Sequence, residues 1–194
     1  MKLIGITGKT GTGKSTIART LAQKLNGQYV DIDKIGHQAT SDPHIAKKLC
    51  DIFGSELLDS NETIDRKKLG NIVFSDTDKM QNLTDITWKY MEQELDNILL
   101  QKQQCFIFDW ALLPKVKFWD MCNMKILVTS DDTVRKERIL ERDHITPEYL
   151  EKREAATLDY SKLTFDYIFN NNYTNENLGS FVEVIYDKIM KENT

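Results

Sequence analysis

Gly8-Lys9-Thr10-Gly11-Thr12-Gly13-Lys14-Ser15 is the stretch on which the fold turns, with the apolar run Leu3-Ile4-Gly5-Ile6-Thr7 before it and Ile17, Leu21 and Leu25 at helical spacing after it. It fits G-x-x-x-x-G-K-[ST] between a strand and an amphipathic helix, the context that this pattern requires. Glycines let the backbone turn so that successive N–H groups point inward, and the following helix adds its positive end. Such a nest holds phosphates. Gly8, Gly11, Thr12, Gly13, Lys14, Ser15 and Thr16 are therefore assigned to a bound ATP. Lys14 is placed as a point charge on the β- and γ-phosphates, and the Ser15 hydroxyl as a Mg²⁺ ligand.

Working outward, a second short strand reads over Tyr29–Ile32, and helical segments broken by Pro43 and Gly54 follow it. A long helix then carries Leu83, Ile86, Tyr90, Met91, Leu95 and Ile98. Cys105–Phe108, Lys125–Thr129 and Tyr167–Phe169 read as three more strands, separated by a charged helix over Asp131–Arg142 and followed by a helix with Leu178, Phe181, Ile185 and Ile189. The Asn170–Asn172 run reads as a loop at a strand end. Strands alternating with helices predict an α/β fold, a five-stranded parallel sheet flanked by helices, with the strandless middle as a helical insertion.

The 194 residues, 40% of them hydrophobic, suffice for one domain with a sizeable core. Their 26 basic and 30 acidic side chains are mixed along the chain, so no basic field forms and no nucleic-acid partner is expected. Cys50, Cys105 and Cys122 are odd in number and far apart, as reduced thiols would be. No apolar run reaches the length of a membrane span, and the start does not read as a signal peptide; a cytoplasmic protein without a membrane partner is expected. Asp33-Lys34-Ile35-Gly36 matches the Asp-x-x-Gly of GTPase switches, but no Asn-Lys-x-Asp guanine reader occurs. The chemistry that remains is transfer of a terminal phosphoryl group to a small molecule.

Beyond the glycine loop, Val30-Asp31-Ile32-Asp33-Lys34-Ile35-Gly36-His37, Phe53-Gly54, Ile64-Asp65-Arg66-Lys67-Lys68-Leu69, Val73-Phe74, Asp109 with Leu112-Leu113, Arg138, Arg142 and Asp166 to Asn171 occur in an order that resembles the dephospho-CoA kinases. The resemblance implies transfer of phosphate from ATP to the ribose 3′-hydroxyl of dephospho-CoA, the last step of coenzyme A synthesis. It also implies a nucleotide-kinase-like core over residues 1–32 and 103–194, a helical acceptor lobe over about 33–101 and a lid over about 135–149. The chain departs from that family at Trp88-Lys89, where the family shows His-Pro, and at Ala111-Leu112-Leu113-Pro114-Lys115, where it shows Pro-Leu-Leu-x-Glu. It departs again at Thr157, where the family shows Gln. All three lie outside the ATP loop and bear on the acceptor. A kinase of another nucleotide-like molecule and a non-catalytic ATP-binding module are the alternatives.

Each remaining candidate has two readings. Asp33 follows the second strand, where a carboxylate can accept the acceptor hydroxyl's proton, or it caps a helix starting at Lys34; the family position favours catalysis. Asp31, two residues earlier on the expected strand, would face the same side, to share the substrate site or to help bind Mg²⁺. Asp109 ends an apolar strand, either to reach Mg²⁺ through water or as an ordinary turn residue. Arg138 and Arg142 are one helical turn apart, to lie on phosphate oxygens or to stay solvated among Glu141 and Asp143. By resemblance Arg66 binds an acceptor phosphate; otherwise it is a surface arginine at a helix start. Trp88, Tyr90 and Met91 form either an aromatic acceptor pocket or core at helical spacing. His37, His44 and His144 share no metal-ligand spacing.

Overall fold

The strand that leads into the glycine loop, β1 (Lys2–Thr7), has five of its six residues buried, as a strand covered on both faces must. It is the middle strand of an all-parallel sheet ordered β2-β3-β1-β4-β5, with β2 (Gln28–Asp31), β3 (Cys105–Asp109), β4 (Met124–Thr129) and β5 (Tyr167–Asn170). The computed structural model describes residues 1–74, 76–155, 157–172 and 175–191. The sheet is the α/β arrangement that the alternation predicts. Chain order reverses on either side of β1, and open α/β sheets present ligand sites at such a switch point, outside the carboxyl ends of the strands.

Alternation along the strands decides which face each side chain covers. On one face Ile4, Ile6, Cys105, Ile107, Met124, Ile126 and Val128 pack against α1 (Lys14–Leu25) and α9 (Asn175–Lys191), through Ile17, Leu21, Val182, Ile185 and Ile189. Phe169 stacks on Phe181 with ring centroids 4.4 Å apart. On the other face Gly5 leaves room for Cys122, Leu113 and Trp119, and Phe108 meets Phe118 edge-on at 6.0 Å. Burial pushes the Cys122 thiol up to about 12, so it remains protonated and inert.

The chain divides into two compact units. The first comprises the described residues of Met1–Asp31, Lys102–Leu150 and Thr157–Thr194 and holds the sheet. The second comprises the described residues of Ile32–Gln101 and Glu151–Ala156. Ile32–Gln101 contains α2 (Ile32–Ala39), α3 (Pro43–Phe53), α4 (Arg66–Val73) and the long α5 (Thr77–Leu99), with no strand among its described residues. Three of these helices start on an aspartate whose carboxylate accepts backbone N–H groups of the first turn: Asp42 for α3, Asp65 for α4 and Asp76 for α5. Ala39, Ile45, Leu49, Phe53, Leu57, Ile64, Leu69 and Val73 form its core.

Several boundaries move by one residue, among them Asn170, expected in a loop and found as the last residue of β5; one of these moves bears on the site. The second strand ends at Asp31, and Ile32, expected as its last residue, begins α2 and is wholly buried.

Ile126 is fully buried in the sheet's main cluster, so Ile126→Ala should lower stability by about 2–5 kcal/mol. Chemical denaturation followed by circular dichroism checks this; a loss below about 1 kcal/mol would contradict close packing at that point.

Candidate active site

The loop between β1 and α1 turns on left-handed glycines: φ is +82° at Gly11 and +90° at Gly13. Neither position has space for a side chain. A Cβ on Gly11 would stand 2.8 Å from the backbone oxygen of Arg135, and one on Gly13 would run into the side-chain amide of Asn171. Inside the turn, Lys9 O accepts from Thr12 N at 3.4 Å, Thr12 Oγ1 at 2.9 Å and Lys14 Nζ at 3.4 Å. Lys14 is 8% exposed and Thr12 1%, so these two side chains are withdrawn from water. Helix α1 begins on Gly13 with no side-chain cap, in contrast to α3, α4 and α5, and has no acidic residue in its first turn. Its first N–H groups and the positive end of its dipole are left for an anion. Ser15 is half-buried and Thr16 exposed in that first turn.

Two elements hold the loop from outside. The first is α7 (Asp132–Asp143), whose Arg135 is completely buried; its Nη1 donates to Thr10 O at 3.2 Å and its Nη2 to Asp132 Oδ1 at 2.9 Å. The Arg135 bond holds the Asp132 carboxyl below the usual carboxylate range, and Asp132 also lies 3.8 Å from Lys9 Nζ. The second is the turn after β5, where Asn171 Nδ2 donates to Thr12 O at 2.8 Å. Arg138 Nη1 donates to Asn171 O at 3.1 Å, which keeps that guanidinium beside the loop. Arg142, one turn further, is 61% exposed and pairs with Asp143 at 2.6 Å. The structure thus brings Arg138 to the loop's support and leaves Arg142 on the surface. Arg135, the first residue of the segment read as a lid, is part of the core.

At the carboxyl edge of the sheet, Asp31 and Asp109 stand in register on β2 and β3. Asp109 is 4% exposed and its Oδ2 accepts from Tyr29 Oη at 3.1 Å. Burial, reinforced by the carboxylates of Asp109 and Asp31, raises the Tyr29 phenol far above its ordinary range, so it stays a donor. Two acidic side chains in register, with the Ser15 hydroxyl in the same unit, make a hard-oxygen donor set. That chemistry suits Mg²⁺, which takes one or two protein oxygens and fills its octahedron with water and phosphate. No group of three or more His, Cys, Asp or Glu able to hold a metal by themselves occurs among the described residues.

The second unit carries the remaining candidates. Asp33 is exposed and is the second residue of α2, not the cap of a helix starting at Lys34. It follows that Asp31 and Asp33 do not share one face of a strand. Arg66 is exposed at the first position of α4, where the Asp65 carboxylate accepts from Lys67 N at 2.9 Å and Lys68 N at 3.1 Å. It lines an open cavity of about 670 Å³ together with Lys34, His37 and Lys67. Asp59, on the same wall, is engaged by Asn61 N, Thr63 N and Thr63 Oγ1, and those bonds, Thr63's foremost, lower its pKa. Tyr90 packs on the unit's core and Met91 is 5% exposed beneath Gly36, so both serve packing rather than an aromatic pocket. Trp88 is half-buried on α5.

Sequence reasoning missed Arg135, Asn171, Tyr29 and Tyr160. The Tyr160 hydroxyl donates to Ala111 O at 2.7 Å, as does Thr7 Oγ1 at 3.0 Å. Only the asparagine run could have been singled out beforehand, as three polar residues at the end of a short strand.

A phosphate nest at the switch point of a parallel sheet, with acidic residues at the neighbouring strand ends, defines a P-loop phosphotransferase of the nucleotide-kinase kind. The family model for dephospho-CoA kinase matches residues 2–176. Dephospho-CoA kinase from Aquifex aeolicus is 30% identical over 197 residues, covering 99% of this chain and 100% of the relative. That of Fusobacterium nucleatum is 33% identical over 184 residues, covering 93% and 95%. The solved dephospho-CoA kinase of Campylobacter jejuni superposes with a TM-score of 0.61 over 97% of both chains at 22% identity, a likeness of fold. This chain belongs to the dephospho-CoA kinase family.

Lys14→Ala removes a charge from the loop together with a buried stem, so turnover should fall by about 10²–10³-fold while the melting temperature falls only modestly. Steady-state ADP release and thermal unfolding, measured side by side, check it; turnover near that of the unmutated protein would remove Lys14 from the chemistry.

Proposed function

We propose that this chain transfers the γ-phosphoryl group of ATP to the ribose 3′-hydroxyl of dephospho-CoA, giving coenzyme A and ADP. The observation that carries this reading is the family match over residues 2–176, which takes in both the phosphate loop and the Arg66 segment. The Ser15 hydroxyl and, through water, Asp109 would hold Mg²⁺, which when bound would supply neutralisation of phosphate charge. Lys14, the loop residues Gly8, Gly11, Thr12 and Gly13, and Ser15 and Thr16 at the start of α1 bind the triphosphate. Asp33, with Asp31 nearby in sequence, orients the acceptor hydroxyl; as the oxygen–phosphorus bond forms and the bond to ADP breaks, the Asp33 carboxylate takes the hydroxyl's proton and passes it to solvent. Arg66, beside Lys34, His37 and Lys67, binds an acceptor phosphate in the 670 Å³ cavity. Arg138 and Arg142 serve the transferring phosphate, Arg142 after exchanging Asp143 for it. The segment over about 135–149, beyond its buried first residue Arg135, acts as a lid that excludes water. No helix among the described residues is long and apolar enough to cross a membrane, and the cytoplasm is the proposed location.

A site for a 3′-hydroxyl that also holds adenosine and a diphosphate-linked tail draws on those remote parts to orient the reacting oxygen. With ATP and Mg²⁺, dephospho-CoA should therefore yield coenzyme A and ADP, while AMP, CMP and shikimate leave ATP consumption near background. ADP release over that acceptor panel, with product identified by mass, is the test. A preference for a nucleoside monophosphate would keep the kinase and discard this acceptor. Tight ATP binding without turnover on any acceptor would make the protein a binding module.

Asp33→Asn keeps the side chain's size but cannot take up a proton, so kcat should drop by about 10²–10⁴-fold with little change in thermal stability. Arg66→Ala should instead raise the acceptor KM by about tenfold and leave the KM for ATP in place. Unchanged kcat in folded Asp33→Asn protein would return Asp33 to a structural role.

A further inference from the structure

Asn171 is held at every polar group it possesses on its main chain. Its N–H donates to Thr129 O at 2.8 Å and its carbonyl accepts from Arg138 Nη1 at 3.1 Å. With the main chain fixed, a 9% exposed side chain reaches across 159 residues of sequence to place Nδ2 2.8 Å from Thr12 O. A carbonyl only accepts, so the amide must present its nitrogen there. A Cβ on Gly13 would strike the same amide, so amide and loop are closely fitted. On the neighbouring flank Arg135 Nη1 reaches Thr10 O at 3.2 Å.

The consequence lies in the planarity of the peptide. In a trans peptide the carbonyl and the following N–H point in opposite directions, and no cis peptide occurs among the described residues. Drawing Thr12 O outward onto Asn171 turns the N–H of Gly13 the other way; drawing Thr10 O onto Arg135 does the same for Gly11. Both are positive-φ glycines, the positions at which the backbone would otherwise rotate most freely. We propose that Asn171 is a positioning residue for nucleotide binding, which together with Arg135 presets the N–H donors of the phosphate loop before ATP arrives. Arg138 acts one step further out, by fixing the carbonyl of Asn171.

This inference rests on Gly8–Ser15 being the nucleotide loop and not on the identity of the acceptor, so it is read by ATP binding itself. Asn171→Asp replaces the donor with an oxygen facing the Thr12 carbonyl, and Asn171→Ser withdraws the donor without adding charge. Calorimetric titration with ATP and Mg²⁺ should show binding weakened by about tenfold in both, with the acceptor KM within about twofold of the unmutated value. Hydrogen exchange at the amides of Gly11 and Gly13 should quicken in parallel. Should Asn171→Asp fail to fold, Asn171→Ser carries the same reading. ATP affinity within about twofold of normal in a folded variant overturns the proposal. So does an acceptor KM that rises together with that for ATP, and so does loss of folding in both variants, which would assign Asn171 to the core. Failure of the unmutated protein to bind ATP would remove the loop reading itself.

Discussion

A phosphate nest asks the backbone for something it does not adopt unaided. Several consecutive N–H groups must point at one centre, and each of the carbonyls between them must then point elsewhere and find a donor, because a buried carbonyl without one costs about 1–3 kcal/mol. In this protein those donors come from parts of the chain remote in sequence. Thr10 O is satisfied by Arg135, Thr12 O by Asn171, and Lys9 O by Thr12 and Lys14 within the loop. The loop is therefore not a local motif resting on the sheet; its shape is a property of the assembled first unit.

That dependence gives the sheet order a reason. Strands β4 and β5 lie on one side of β1, so the segments that continue from their ends bring Asp132, Arg135 and Asn171 to the outer wall of the loop. Strands β3 and β2 lie on the other side and deliver Asp109 and Asp31 in register. The switch point at β1 separates the two tasks, carbonyl donors on one flank and carboxylates on the other.

The parts of this arrangement that follow from local pattern were legible in the sequence: the glycine spacing, the apolar strands, the helical period of α1 and α5, and Asp109 at a strand end. The parts that follow from long-range contact were not. Arg135 reads as one more charge in a charged helix, and only the fold reveals that it is wholly buried against Thr10. Asn171 sits in a run of three asparagines and reads as a turn, although its side chain bonds a residue 159 positions away. The start of α2 was misjudged by a different route. Ile32 is apolar and β-branched and so extends the strand on propensity, whereas burial in the second unit makes it the first residue of a helix and carries Asp33 with it.

The same distinction between main-chain and side-chain duties bears on the positions where this chain departs from its family. Ala111 stands where the family carries proline, yet its contribution in the structure is its carbonyl, which accepts from Thr7 Oγ1 and Tyr160 Oη. A carbonyl is common to alanine and proline, so this substitution leaves the anchoring of Thr7, the last residue before the phosphate loop, unchanged. Lys115 is different in kind. It lies exposed at the end of the short turn Leu113–Lys115, where neither its stem nor its charge is needed for packing. Reversing the charge there leaves the core and the nucleotide loop as they were and acts only on what approaches from solvent. The nucleotide half of the reaction is thus insulated from both changes, and any altered preference they confer must be expressed in the acceptor.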